Sequence, residues 1–222
     1  MPSLYGITIS VSILSCLLAA EKIFPEKRRQ VWNAGLYCVL GGIIGARFYH
    51  VLDFLELYLS DPILILKIWN GGLGIWGAIV GGIAGLFIYS KKSGESFFDI
   101  SDVIATVMPL GQAIGRWGNF FNSELMGRDT ELPWAVNGQH PLFLYESLLN
   151  FGLFAFLVKT SGDRKKKGRL TSKYLAGYAV IRFFLEFLRI DPWKIGSLNV
   201  AQMVSILALL ISGIIYWKGR RT

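Results

Sequence analysis

Residues 198–217 read LNVAQMVSILALLISGIIYW, a run that contains no acidic or basic side chain. A helix needs about 20 mostly apolar residues to cross the hydrocarbon core of a bilayer. Six earlier runs are also mostly apolar, and the fourth and sixth of the seven are shorter and carry polar residues. In chain order the seven runs cover residues 4–20, 34–52, 72–89, 100–114, 141–158, 174–188 and 198–217. We therefore predict an all-α, polytopic integral membrane bundle of about seven transmembrane helices, which forms one membrane-embedded domain over residues 1–222.

The composition of the whole chain supports this prediction. Hydrophobic residues make up 53% of the 222 residues and charged residues 17%, and the mean hydropathy is +0.46. Soluble domains carry about 25% charged residues, which is more than this chain has. We therefore expect lipid to cover much of its apolar surface. The two cysteines, Cys16 and Cys38, both lie within apolar runs, which excludes a disulfide framework and a cysteine-based zinc cluster.

The positive charge is unevenly placed along the chain. The formal net charge is +8, and most basic residues fall in the tail and in the connections after the first, third and fifth runs. These segments share one side of the membrane if the spans alternate, and basic loops stay in the cytoplasm. We therefore expect an external N-terminus and a cytoplasmic C-terminus. The excess charge is explained by topology and by the anionic inner leaflet, so we expect no nucleic-acid partner.

Glycines form two kinds of pattern. The residues Gly77, Gly81 and Gly85 recur at four-residue intervals, as do Gly41 and Gly45, and this spacing favours close packing of helix backbones in lipid. The segment GGLG at residues 71–74 instead predicts a turn or unwound backbone at the entrance to the third span, because non-helical backbone is tolerated where it lines a cavity.

The polar stretch GQAIGRWGNFFNSELMGR, residues 111–128, lies at the outer end of the fourth run. Arg116 offers a planar fork of donors that suits phosphate. Asn119 and Asn122 add donors that share a face if this piece is helical. Two hypotheses remain open, a lipid-phosphate site and an interfacial loop that anchors to headgroups.

The sixth run carries Tyr178, Arg182 and Glu186 at four-residue intervals on one helical face. An ionisable residue inside a membrane costs about 2.5–3.5 kcal/mol on insertion scales and usually faces the bundle interior or a cavity. One interpretation is a purely structural ion pair. The other is a functional cation, Arg182, that Glu186 holds in place.

Before the fifth run, His140 precedes Pro141, which predicts a non-helical His140 and a helix that opens at the proline. Glu146 then lies about a turn and a half inside the span and needs a partner. His140 has either an acid–base role or a hydrogen-bonding role at the helix entrance. The only other histidine, His50, stands apart from it, and two histidines without ligand spacing do not form a metal site.

Taken together, residues 115–127 resemble the signature of prolipoprotein diacylglyceryl transferases. The similarity continues in order from about residue 5 to residue 217. It includes Tyr5-Gly6, GARFYHVL at residues 45–52, GGLGIWG at residues 71–77, the segment from His140 to Glu146, and the triplet Tyr178, Arg182 and Glu186.

The resemblance implies a multi-pass enzyme of the bacterial cytoplasmic (inner) membrane that acts in lipoprotein maturation. Its substrates would be phosphatidylglycerol and the signal peptide of a preprolipoprotein, within membrane lipid. The diacylglyceryl group would move to the lipobox cysteine thiol, which forms a thioether and releases glycerol phosphate without a cofactor. The catalytic residues it implies are Arg116, Arg182, Glu124, Asn119 and Tyr5. Substrate binding would involve Arg116, Arg182, Asn119, Asn122, Gly127, Tyr178, Glu186, His140, Arg47 and Trp76.

The chemistry of such a transfer suits these residue types. Negative charge grows on the departing phosphate, and fixed cations in a low-dielectric pocket stabilise it. We expect Arg116 and Arg182 to clamp the phosphate, Asn119 to donate a hydrogen bond, and Glu124 to orient an arginine or receive a proton.

The attacking thiol must lose its proton, and a free cysteine has a pKa of about 8.5, so a base would help. Some relatives carry a histidine where this chain has Trp76, and an indole cannot accept that proton. The base therefore remains open among Glu124, Glu186, His50, His140 and water.

Three other functions remain in consideration. A different phospholipid-dependent acyl or headgroup transferase would share the outer arginines. A small-anion transporter would also use ionisable residues within a span, although the sequence shows no convincing internal repeat. A catalytically inactive scaffold is the third alternative.

Overall fold

A computed structural model describes residues 4–122, 126–162, 166–196 and 198–219. These residues form eight α-helices, several short 3₁₀ turns and one two-stranded hairpin. The helices are α1 (Leu4–Ile23), α2 (Arg28–Asp53), α3 (Leu55–Ser60), α4 (Ile75–Ser93), α5 (Phe97–Phe121), α6 (Leu142–Thr160), α7 (Arg169–Leu185) and α8 (Val200–Lys218). The antiparallel strands β1 (Lys194–Ile195) and β2 (Leu198–Asn199) lie between α7 and α8.

The all-α membrane class is confirmed. All the helices except the six-residue α3 overlap the seven predicted runs, one helix to each run. Within the described residues, five helical segments are long and apolar enough to cross a membrane, namely Leu4–Ile23, Pro25–Asp53, Phe97–Phe121, Leu142–Thr160 and Val200–Lys218. The helices α4 and α7 fall outside this set. Glycines and terminal lysines dilute the apolar character of α4, and α7 has only 17 residues.

The residues Glu26–Ile100 form one compact unit, in which α2 packs along α4. The glycine pattern predicted close backbone packing, and the structure shows that these two helices are the partners. A methyl group built at Gly45 would overlap the carbonyl of Gly77, and one built at Gly41 would overlap the carbonyl of Gly81. The backbones therefore lie closer than any side chain would allow, as expected for small residues at a helix contact in lipid.

The glycine segment before α4 is non-helical, as predicted. Gly71 and Gly72 have φ angles of 87° and 74°, a conformation that favours glycine. Their carbonyls accept hydrogen bonds of 2.8 and 2.9 Å from the Arg47 guanidinium, which also donates to the carbonyls of Leu64 and Ile65. Arg47 thus fixes the backbone of the segment between α3 and α4.

The other compact unit comprises Met1–Pro25 and Ser101–Thr222. At one end of it, Asp102 of α5 supplies the N-terminal cap that α7 lacks. The carboxylate accepts hydrogen bonds from the backbone N–H groups of Gly168 and Thr171, at 2.8 and 2.7 Å, and from the Thr171 hydroxyl at 2.6 Å. Charge-assisted bonds of this kind satisfy donors that a helix start otherwise leaves unpaired.

Two of the boundaries that differ from the predicted runs concern the polar residues singled out in the sequence. α5 continues to Phe121 rather than ending near residue 114, so that Arg116 and Asn119 lie on its last turns. The polar residues do not end the helix, because Arg116 finds an anionic partner inside the unit. α7 ends at Leu185, and Glu186 begins a 3₁₀ turn whose dihedral angles keep it one turn above Arg182.

Candidate active site

Two arginines and one buried carboxylate form the centre of the site. The side chain of Glu146, on α6, is 1% exposed. One of its oxygens, Oε1, accepts hydrogen bonds from Arg116 of α5 at 2.7 Å and from Arg182 of α7 at 3.1 Å. Three helices thus place their ionisable side chains at one point. A carboxylate buried to this degree requires such partners, because an unpaired charge in this environment is very costly.

A second carboxylate extends the cluster. Glu186 is also 1% exposed, and its Oε2 accepts a hydrogen bond of 3.1 Å from Arg182. The predicted ion pair across four residues is therefore present. Arg189 approaches the other oxygen of Glu186 at 3.6 Å. We call Arg116, Arg182, Glu146 and Glu186 the arginine cluster.

The arginines remain partly accessible while the carboxylates do not. The side chains of Arg116 and Arg182 are 21% and 19% exposed. The hydroxyl of Tyr178, one turn from Arg182, accepts a hydrogen bond of 3.4 Å from Arg116. Guanidinium edges that the carboxylates do not cover can therefore meet an anion, and the low-dielectric surroundings strengthen that attraction.

Several predicted residues surround the C-terminal end of α5. Tyr5 of α1 packs on Gly118, where an added Cβ would lie 3.0 Å from the tyrosine ring. Asn119 lies on the last turns of α5 and Asn122 directly follows the helix. The indole ring of Trp117 contacts α6, where its Nε1 donates a hydrogen bond of 3.2 Å to the Ser147 hydroxyl.

The backbone at Gly127 pairs with the segment before α6, which contains His140, and with the segment after α7. The N–H of Gly127 donates to the carbonyl of His140 at 2.8 Å, and that of Arg128 donates to the carbonyl of Leu188 at 2.8 Å. A Cβ at Gly127 would lie 2.8 Å from the Leu188 oxygen, so only glycine fits here. The Nδ1 atom of His140 lies 3.2 Å from the Tyr145 hydroxyl, which agrees with the hydrogen-bonding alternative.

Two further predicted residues belong to the other compact unit, and one lies outside the described residues. Arg47 and Trp76 belong to the unit of Glu26–Ile100. The guanidinium of Arg47 is occupied by backbone carbonyls, and Trp76 lies in the first turn of α4 with its ring partly exposed. Glu124 lies outside the described residues.

Glu146 and Arg189 were missing from the predicted site. The sequence did contain a signal for Glu146, since a carboxylate inside an apolar run needs a partner. What it did not reveal is that one oxygen serves both arginines. The signal for Arg189 was its three-residue spacing from Glu186, which allows a side-chain pair.

Comparison with known proteins shows which family the chain belongs to. The sequence model of a family described as prolipoprotein diacylglyceryl transferase matches residues 3–218 of the chain. The chain belongs to the prolipoprotein diacylglyceryl transferase family.

Relatives in this family cover nearly all of the chain. A phosphatidylglycerol–prolipoprotein diacylglyceryl transferase of Clostridium botulinum is 41% identical over 225 residues, which is 94% of this chain and 89% of the relative. The enzyme of the same name from Finegoldia magna is 38% identical over 95% of this chain and 88% of its own length. The one from Fervidobacterium nodosum is 38% identical over 96% of this chain and 79% of its own length.

Proposed function

We propose that this chain transfers the diacylglyceryl group of phosphatidylglycerol to the lipobox cysteine of a preprolipoprotein. Membership of the family makes it a transferase of lipoprotein biosynthesis with several membrane helices. The observation that carries the proposal for the site is the convergence of Arg116 and Arg182, from different helices, on one buried carboxylate.

In the proposed reaction the cysteine sulfur attacks the glyceryl carbon that bears the phosphate ester. A carbon–sulfur bond forms as the carbon–oxygen bond breaks, and the oxygen leaves with both electrons as glycerol phosphate. The thiol proton is lost as the sulfur becomes nucleophilic. The phosphate gains negative charge during this step. Arg116 and Arg182 therefore stabilise the transition state more than they stabilise the bound phosphatidylglycerol.

The carboxylates have a supporting role in this proposal. Glu186 is paired with Arg182 and Arg189, so it serves to position a cation rather than to accept the thiol proton. Tyr178 orients Arg116 through its hydroxyl. The substrate lies at the outer end of α5, where it is surrounded by Tyr5, Asn119, Asn122, Gly127 and His140. The base that accepts the thiol proton remains Glu124, a histidine or water.

The proposal extends to topology and location. Seven spans with an external N-terminus and a cytoplasmic C-terminus place the arginine cluster towards the outer face of the cytoplasmic membrane. The basic connections and tail support this orientation. The whole chain acts as one membrane-embedded transferase domain, and lipid diffusing in the outer leaflet supplies the donor.

Purified protein in mixed micelles with phosphatidylglycerol and a lipobox peptide tests the function. We expect the peptide to gain the mass of one diacylglyceryl group on its cysteine, and a peptide with serine at that position to remain unmodified. Arg116→Lys and Arg182→Ala should abolish the transfer while the protein still inserts. Absence of any mass gain with the wild-type protein would reject the function, and anion flux in vesicles would then favour the transporter alternative.

A further inference from the structure

We propose that a cavity at the start of α7 binds the phosphate group of an anionic membrane phospholipid, at a site separate from the arginine cluster. The cavity has a volume of about 130 Å³ and lies where the start of α7 meets the end of α8. We call it the basic cavity. Its lining consists of Lys166, Lys167, Arg169, Ile215, Tyr216 and Gly219.

The length of α7 separates the basic cavity from the arginine cluster. Arg169 is the first residue of α7, and Arg182 lies in its last turn. At a rise of about 1.5 Å per residue the two arginines are about 20 Å apart along the helix axis. The inference therefore concerns a second site, and it does not rest on the proposed transfer reaction.

The basic cavity lies at the depth of the lipid headgroups. The helix Val200–Lys218 is long and apolar enough to cross a membrane. Tyr216 and Trp217 stand in its last turn with their rings exposed, and Lys218 ends it. Aromatic and basic residues at the end of a span mark the membrane–water interface. A lipid phosphate therefore lies level with the cavity, and the proposed topology makes this the cytoplasmic leaflet.

Buried contacts hold the walls of the basic cavity together. Ser172 of α7 donates a hydrogen bond of 2.9 Å to the carbonyl of Ser212 on α8, and Ser212 returns one of 2.8 Å to the carbonyl of Ser172. A Cβ at Gly219 would lie 2.8 Å from the carbonyl oxygen of Lys167, so the chain before α7 packs closely on the end of α8. The cavity is thus formed before a ligand arrives, which lowers the entropic cost of binding.

The basic side chains supply the attraction for an anion. Asp102 already accepts hydrogen bonds from the N–H groups of Gly168 and Thr171, so the start of α7 offers few free donors of its own. Within the described ranges, neither Lys166 nor Lys167 forms an ion pair. Three cationic residues around one small space repel one another, and a bound anion relieves that repulsion.

The size and the surroundings of the basic cavity fit a lipid phosphate. A cavity of about 150 Å³ holds benzene, which has six heavy atoms, so this cavity has room for the five heavy atoms of a phosphate group. Guanidinium and ammonium groups are the usual phosphate ligands of proteins. Basic pockets between membrane helices on the cytoplasmic side bind anionic headgroups in the same way.

The rest of the lipid would lie outside the cavity along α8. Leu207 and Ile211 precede Ile215 at four-residue intervals, so the three side chains share one helical face. Leu207 and Ile211 are exposed, as expected for side chains that contact acyl chains. A choline headgroup would bring its own cation close to the two lysines, so we expect an anionic lipid to bind more tightly than a phosphatidylcholine.

Native mass spectrometry of the full chain in detergent measures this preference. The probes are dioleoyl phosphatidic acid and dioleoyl phosphatidylcholine, which have the same acyl chains. The wild-type protein should show a binding step for phosphatidic acid that phosphatidylcholine does not share. Lys166→Gln combined with Lys167→Gln should weaken that step about 30-fold, which is about 2 kcal/mol at 1.4 kcal/mol per tenfold change. Arginine at both positions should retain it.

The matched control is Lys91→Gln combined with Lys92→Gln, which removes the same charge from exposed positions at the end of α4. This control should leave the affinity within twofold of the wild-type value. Arg169→Gln is a second, independent variant and should weaken the same step about fivefold. Equal weakening by both glutamine pairs would indicate general attraction to basic residues and would overturn the site, as would no weakening by Lys166→Gln with Lys167→Gln.

Thermal melting separates a lipid site from a site for free phosphate. A ligand that binds only the folded protein raises its Tm. Phosphatidic acid should raise the Tm of the wild-type protein by more than it raises that of the Lys166→Gln, Lys167→Gln protein. Millimolar inorganic phosphate should raise neither value. An equal rise with inorganic phosphate alone, lost in the same variant, would overturn the assignment to a lipid.

Discussion

Replacing Glu146 with glutamine tests how the two arginines are held together. The substitution keeps the size of the side chain and an acceptor oxygen, and removes only the negative charge. Glu146 Oε1 receives two charge-assisted bonds, at 2.7 and 3.1 Å. A hydrogen bond to a charged group contributes about 1.5–3 kcal/mol and a neutral one about 0.5–1.5, so each contact loses about 1–1.5 kcal/mol.

The two losses are summed because this one substitution weakens both contacts. We expect Glu146→Gln to lower the free energy of unfolding by about 2–3 kcal/mol, which for a chain of this size lowers Tm by roughly 4–12 °C. The guanidiniums, no longer neutralised, should move apart, and kcat/KM for phosphatidylglycerol should fall by about 30-fold or more, since 1.4 kcal/mol is a factor of ten. Glu146→Ala also leaves a cavity and two unpaired cations, and should cost about 3–5 kcal/mol.

Thermal melting in detergent and initial rates of lipobox-peptide modification provide the two measurements. Glu56→Gln is the matched control, because Glu56 is exposed and should change neither value. Wild-type Tm and wild-type kcat/KM in Glu146→Gln would show that the shared carboxylate does not assemble the arginines.

Three further predictions concern the scaffold. Asp102→Ala removes the cap of α7 and should lower the unfolding free energy by about 3 kcal/mol, with the rate per folded molecule preserved, as melting curves and normalised rates will show. Gly45→Ala should reduce the folded yield in membranes, because the methyl group overlaps Gly77, whereas Gly42→Ala, with its nearest neighbour 3.5 Å away, should be tolerated. Arg47→Lys should speed proteolysis between α3 and α4, since a lysine cannot reach the same set of carbonyls; unchanged cleavage would contradict that role.

The sequence by itself determined those features that depend on local spacing. The apolar runs located the seven long helices, because span length and composition are properties of contiguous residues. The glycine intervals on α2 and α4 indicated close backbone packing, and the GGLG segment indicated an unwound entrance to α4. The pair of Arg182 and Glu186 followed from the helical repeat, which brings residues four apart onto one face.

Only the tertiary structure decided which partners meet across helices. Glu146 is separated by 30 residues from Arg116 and by 36 from Arg182, and no local period relates them. The same contact explains why α5 continues through a charged residue where the apolar run appeared to end. A buried charge must be satisfied wherever in the chain its partner lies, so the composition of α6 showed that Glu146 needed a cation, and the packing of α5 and α7 against it determined that it received two.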